Sequence, residues 1–204
     1  MRSPTTSAST GCQARHRANP FARAARHVRG RVGGAVGGAV GGGEAGRAED
    51  GLAGWEVTGG MEAVTGLGQL QPYTGNAFFA GGARDAESRA GQSVSLEPFA
   101  ALIDEGRVEA HLGAYLAAAY LAFPSGESRA EPYDESEVSF AFLGADGAEL
   151  WSSSSGKYDT LYWWPYRETV PVPRGARSAR VTIAANRRTL IGGTRNDGAV
   201  EGVS

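Results

Sequence analysis

The stretch Tyr158-Asp159-Thr160-Leu161-Tyr162-Trp163-Trp164-Pro165-Tyr166-Arg167-Glu168 gathers the side chains best suited to meet another molecule. It holds two of the chain's four tryptophans, three tyrosines and a proline, directly after the run Ser152-Ser153-Ser154-Ser155-Gly156. A flat ring gives the C–H face of a sugar a large contact at small entropic cost, and its N–H or O–H adds a polar handle. Side chains alternate along an extended strand, so Tyr162, Trp163 and Trp164 cannot share a face. If Trp163 points inward, Tyr162 and Trp164 point outward, and the reverse also holds. Tyr162, Trp163, Trp164 and Tyr166 are therefore candidate ligand-binding residues. Core packing on one face with a loop lid over the other is the competing reading, given how deeply tryptophan usually sits.

A second candidate set lies on a period-two stretch. Val108, Ala110, Leu112, Ala114 and Leu116 put apolar groups on one side, leaving Glu109, His111 and Tyr115 on the other with Gly113. A tyrosine for stacking and Glu and His for hydroxyl hydrogen bonds suit a sugar groove. The same mixture suits the wet outer face of an antiparallel strand. The segment Tyr120–Tyr133, with Pro124, Ser125-Gly126, Glu127 and Arg129, is a third place for contacts, because loops at the ends of sandwiches often carry them. The acids Asp134, Glu135 and Glu137 after it read as a solvated run.

Catalytic chemistry is hard to assemble from these residues. His111 is the only histidine after residue 43, and the only cysteine, Cys12, lies before it. A histidine zinc cage, a thiol nucleophile and a thiolate metal site are thereby excluded from residues 44–204. No Gly-x-Ser-x-Gly elbow occurs, and the glycine pairs near the N-terminus lack the Lys-Ser/Thr of a phosphate loop. A glycosidase needs two carboxylates about 5–9.5 Å apart across a groove. Glu109 has no second acid in an identifiable motif. The expectation is a protein that is not an enzyme.

The elements that must position these side chains are short β-type runs between turn residues. Trp55-Glu56-Val57-Thr58 ends at Gly59-Gly60, and Ala77-Phe78-Phe79-Ala80 at Gly81-Gly82. Gln92 to Leu96 alternates, as do Val138, Phe140 and Phe142, after which Asp146-Gly147 supplies a hairpin turn. Val170 and Val172 lead through Pro173-Arg174-Gly175 to Arg180–Ala184, and Val200 and Val203 form a last apolar pair. One interruption, Pro98-Phe99-Ala100-Ala101-Leu102-Ile103-Asp104-Glu105-Gly106, has proline at a helix start and glycine at its end, which predicts a single helical turn. Many strands with almost no helix predict an all-β sandwich over residues 44–204.

Residues 1–43 are of another kind. They carry seven arginines and no acid, and eight of the fourteen residues 30–43 are glycine. Such a stretch buries too little apolar surface to offset the entropy of ordering it, so it reads as a disordered basic tail. Its composition fits an organelle transit peptide as well as upstream sequence translated from a mis-assigned start, and composition does not separate the two. The remaining residues hold thirteen basic and twenty-two acidic groups, a charge of −9. That balance excludes nucleic acid as a partner, since phosphate binding needs clustered Lys and Arg. No run of about 20 apolar residues is present to span a membrane.

Four stretches, in order, resemble galactose-binding-like jelly-roll modules. They are Glu49–Gly60 (EDGLAGWEVTGG), Ser95-Leu96 with Phe99–Gly106, Val170–Val181 (VPVPRGARSARV) and Asn196–Ser204 (NDGAVEGVS). Ala48 stands where such modules usually have an aromatic, and Glu201-Gly202 where they usually have Asp-Asn. The superfamily includes carbohydrate-binding modules of secreted bacterial enzymes and the sugar-binding F-box-associated domain, and also spacers and adhesion modules. The resemblance implies a jelly-roll sandwich of two antiparallel sheets, extracytoplasmic, whose partner is a carbohydrate or a protein surface. It also implies a structural Ca²⁺ held by Glu49 and Glu201, with Asp50 and Asp197 as spare ligands. Ca²⁺ takes 6–8 oxygens at about 2.3–2.6 Å, which carboxylates and carbonyls supply.

Overall fold

The structure, a computed structural model, describes residues 47–119, 134–188 and 195–204. The tail 1–43 and the Tyr120–Tyr133 segment lie outside the described residues. Among the described residues, the strands are β1 (Glu56–Thr58), β2 (Glu62–Val64), β3 (Phe78–Gly82), β4 (Glu87–Ser95), β5 (Glu109–Ala118), β6 (Glu135–Leu143), β7 (Glu149–Ser154), β8 (Trp164–Pro171), β9 (Ser178–Asn186) and β10 (Asn196–Glu201), with the helix α1 (Ala100–Asp104) between β4 and β5. They form two antiparallel five-stranded sheets, in the orders β1-β4-β9-β6-β7 and β2-β3-β10-β5-β8, stacked as a jelly-roll β-sandwich.

Period-two patterning drives the stacking. Val138, Phe140, Val181 and Ile183 project from the first sheet against Phe79, Leu116 and Val200 of the second, and all seven are buried. Each such side chain contributes roughly 1.5–3 kcal/mol on leaving water. Trp55 meets Phe79 edge-on, with ring centroids 5.1 Å apart. At one end Ile103 of α1 packs with Phe142, Val170, Val172 and Ala176. The helical turn is where the sequence predicts it: a 3₁₀ turn at Glu97–Phe99 carries Pro98 and continues into α1, and Gly106 ends it at φ 73°.

A smaller apolar cluster lies on the outside of the second sheet. Phe78, Ala80, Ala117 and Ala199 face away from the first sheet and are covered by Leu67 and Leu70. The covering segment, residues 65–76, crosses this face as a strap, pinned on itself by paired backbone bonds between Leu67 and Leu70.

One strand is not read from the sequence, and one sequence expectation is changed. The serine run belongs to strand β7, although serine has little β propensity; pairing with β6 through Ser139–Ser154, Phe140–Ser153, Ala141–Ser152 and Phe142–Trp151 holds it extended. The rings at 162–164 are not all on one strand either, since β8 begins only at Trp164. The Thr160 hydroxyl donates to the Tyr162 carbonyl at 2.8 Å, turning the chain just before the strand.

Candidate functional site

The edge strands β7 and β8 face each other along one open side of the sandwich. The register of β8 against β5 places Trp164 beside Leu116, Tyr166 beside Ala114 and Glu168 beside Leu112. Those β5 residues face the core, so Trp164, Tyr166 and Glu168 project from the inner face of their sheet, at its rim. Across the seam, Trp151 and Ser153 project from β7: Trp151 packs on Phe142 with centroids 5.3 Å apart, and Ser153 reaches β8.

The polar centre of the seam is a triangle. The Tyr166 hydroxyl donates to Glu168 Oε2 at 2.5 Å, and the Ser153 hydroxyl donates to the same oxygen at 2.8 Å. The two hydroxyl oxygens lie 3.2 Å apart. The Tyr166 ring lies nearly parallel to Phe140, at 6.2 Å and 13°. Burial, and next the bond to Glu168, raises the Tyr166 phenol above its usual range, so it remains a hydroxyl.

Two residues before Tyr166 on the same side of β8 is Trp164, which is 55% exposed. Its ring stacks on Tyr158 at 6.4 Å and 23°. Tyr158 is held by backbone bonds in both directions with Ser136 of β6, so the exposed indole rests on a fixed neighbour. The cations beside Tyr158 are matched with acids: Lys157 pairs with Glu135 at 2.9 Å, and Arg188 with Glu135 at 3.3 Å and Asp159 at 3.1 Å.

The remaining rings of the opening stretch go elsewhere. Trp163 turns to the outside of the second sheet, meets Phe78 edge-on at 5.4 Å, and donates its indole N–H to the Gln71 carbonyl at 2.8 Å. It clasps the strap. Tyr162, 81% exposed, stands at the turn before β8.

Glu109, His111 and Tyr115 lie on the outer face of the second sheet, away from the seam. His111 Nδ1 is 3.0 Å from the Thr169 hydroxyl. Tyr115 lies under Tyr73, with centroids 4.4 Å apart, and accepts a bond from Arg167 at 3.1 Å. The structure thus divides the sequence-predicted residues among the seam (Trp164, Tyr166), the strap clasp (Trp163), the turn (Tyr162) and the outer face (Glu109, His111, Tyr115). Tyr158, Ser153 and Glu168 complete the seam without having been singled out in the sequence. Glu168 follows Trp164 and Tyr166 at period two, which is the signal that would have found it.

Glu49 and Glu201 come to the same short segment, the end of the strap. Glu201, 3% exposed, accepts from the Tyr73 N–H at 2.5 Å, the Thr74 N–H at 2.7 Å, the Thr74 hydroxyl at 2.8 Å and the Gly75 N–H at 3.0 Å. Glu49 accepts from the Asn76 N–H at 2.9 Å, and that bond first of all holds its carboxyl below the usual range. Of the four donors on Glu201, three converge on Oε1 and one reaches Oε2, so both carboxylate oxygens are already met by N–H or O–H groups. N–H groups aimed at a carboxylate are the wrong partners for a cation, which needs oxygens. Asp50 is exposed, and Asp197 sits further up β10, where its N–H bonds Asp134. Among the described residues no group of three or more His, Cys, Asp or Glu could hold a metal. As arranged, this set does not fit a Ca²⁺ cage.

Fold and seam together define an antiparallel jelly-roll β-sandwich with an exposed indole and a part-buried carboxylate along one edge. No protein-family model matches the chain, and no curated protein matches it. Solved structures similar to it include carbohydrate-binding modules with β-sandwich folds and a phage tailspike. A family 16 carbohydrate-binding module is 16% identical with a TM-score of 0.49, over 78% of this chain and 94% of that one. The C-terminal family 22 carbohydrate-binding module of a Clostridium thermocellum xylanase is 12% identical with a TM-score of 0.47, over 77% of this chain and 88% of that one. The enzymatically active domain of bacteriophage CBA120 tailspike protein 4 is 15% identical with a TM-score of 0.48; the match takes in 74% of this chain and 19% of that one. At these identities and scores the likenesses define no ligand.

Proposed function

We propose that this protein is a non-catalytic carbohydrate-binding module of the galactose-binding-like type, working outside the cytoplasm, and that its ligand lies along the β7–β8 seam. The observation that carries the reading is Trp164: a half-exposed indole, backed by Tyr158, one pleat away from the Tyr166–Glu168–Ser153 triangle. The indole supplies a surface for a sugar ring, and the triangle supplies hydrogen-bond partners for its hydroxyls. Glu168 acts here as an acceptor of hydrogen bonds and not as an acid–base catalyst. No helix among the described residues is long and apolar enough to cross a membrane.

Affinity electrophoresis through gels containing soluble polysaccharides tests this. Wild type is retarded by at least one of them, and Trp164→Ala migrates like an inert control. If wild type itself is never retarded, the carbohydrate reading fails. The alternative, an adhesion or structural sandwich with no small ligand, then stands. It already describes Trp163, whose ring and N–H are both engaged internally.

A further inference from the structure

The hydroxyl protons of the β7 serines and of Tyr166 are already committed, Ser153 and Tyr166 within the seam and Ser152 and Ser154 on the outer face. Ser152 donates to Glu149 at 2.6 Å, Ser153 to Glu168 at 2.8 Å, Ser154 to Glu137, and Ser155 to the Gly156 carbonyl at 2.7 Å. Tyr166 donates to Glu168 as well. An ionised carboxylate can only accept, so the direction of the three serine–glutamate bonds and the tyrosine–glutamate bond is fixed by their partner. Both protons in the triangle go to Oε2 of Glu168, and Oε1 has no partner among the described residues. What Glu168, Ser153 and Tyr166 offer an incoming molecule is therefore oxygen lone pairs and one negative charge.

Among the described residues, the nearby cations do not offset that charge. Lys157 and Arg188 are paired with Glu135 and Asp159, and Arg167 points to the opposite face, to Tyr115. The other side-chain donors of the seam, the indole N–H groups of Trp164 and Trp151 and the Tyr158 hydroxyl, are neutral, and the triangle itself presents only acceptors. A ligand is thus met by acceptors, and a sugar whose own hydroxyls donate is complementary to them. A carboxylate brought beside Glu168 would repel it, with low-dielectric core on one side to sharpen the repulsion.

Resting on the carbohydrate reading of the same site, we infer that the seam selects neutral, hydroxyl-rich glycans and rejects chains built of uronic acids, with Glu168 as the residue that sets this choice. The test compares neutral oligosaccharides of glucose, xylose and mannose with oligogalacturonate of matched length, by titration calorimetry at low salt. Wild type binds the best neutral probe at least about tenfold more tightly than the uronate, the size expected when one charge-assisted hydrogen bond is exchanged for a repulsion.

Glu168→Gln keeps the shape but replaces one oxygen by an N–H₂ donor. It weakens neutral binding by about tenfold and brings the two ligand types to within about threefold. Ser153→Ala, which frees a lone pair of Glu168 without touching its charge, keeps the preference, and thermal melts of both variants confirm that they are folded. Oligogalacturonate binding as tight as the neutral probe in wild type, or an unchanged preference in folded Glu168→Gln, overturns this inference while leaving the carbohydrate reading intact. Absence of binding by every probe overturns both.

Discussion

At the scale of single residues, adjacent tryptophans do different work. Trp163 is packed under the strap and hydrogen-bonded to it, whereas Trp164 is half in solvent. Trp163→Ala should lower stability by about 2–3 kcal/mol, somewhat less than a fully buried Trp→Ala, with a fall in Tm of roughly 5–10 °C. Trp164→Ala should cost less than about 1 kcal/mol in stability but at least about tenfold in glycan affinity. Paired thermal melts and binding titrations check this; a Trp163 variant as stable as wild type contradicts the clasp.

Asp197 is a second residue with a measurable signature. Burial, and then the neighbouring Asp134, raises its pKa from 3.8 to about 6, against a smaller opposing effect of Arg195. The folded protein therefore holds this proton more tightly than the unfolded chain does. Stability falls as pH rises from about 4 to about 6 and stays reduced above that. Asp197→Asn should melt a few degrees higher than wild type near neutral pH, with the difference closing as pH drops below about 4. A wild type equal to the variant near neutrality would contradict it.

At the scale of elements, the strap is the part whose fastening is most specific. Four donors from Tyr73, Thr74 and Gly75 converge on one carboxylate of β10, and Glu49 takes the next amide. Glu201→Gln keeps the volume but turns one acceptor into a donor facing N–H groups, so it should lower stability by about 2–3 kcal/mol. Chelator and added Ca²⁺ should leave the wild-type melting curve unchanged, because the oxygens a cation would need are occupied. A rise in Tm with Ca²⁺ that Glu201→Gln abolishes would restore the metal site that the resemblance implies.

The legibility of the sequence divides along the same lines. Strands β5, β6 and β9 show in the alternation of Val, Leu, Ile and Phe, because burial on one face forces period two. The turn into α1 shows because proline and glycine each have a backbone reason to stand at its ends. Strand β7 does not show: serines give no apolar signal, and only the partner strand β6 makes them extended. The seam is half legible for the same reason. Its rings stand out by type, but Ser153 and Glu168, only 15 residues apart, become a pair only because their consecutive strands end different sheets that meet at this edge. Glu49 and Glu201 meet at one segment, yet the strap that draws them there satisfies them with amides, which spacing cannot reveal.

At the scale of the whole molecule, the edges are as informative as the core. Strand β8 ends its sheet and carries Pro165 and Pro171, which lack the N–H that an added strand would need. This edge is thereby blunted against pairing with another copy while its inner rim keeps the exposed indole.

The strand orders have a further consequence. β9 lies between β4 and β6, and β10 between β3 and β5, so the central member of each sheet is made after every other strand of that sheet. During synthesis neither layer can close until residues 178–201 have cleared the ribosome, and contacts this distant in sequence form slowly. A chain cut after Arg195 should lack cooperative urea unfolding despite retaining nine of the ten described strands. Until residues 178–201 emerge, the nascent chain presents paired halves with unfilled gaps, and its exposure to misassociation is greatest just before they do.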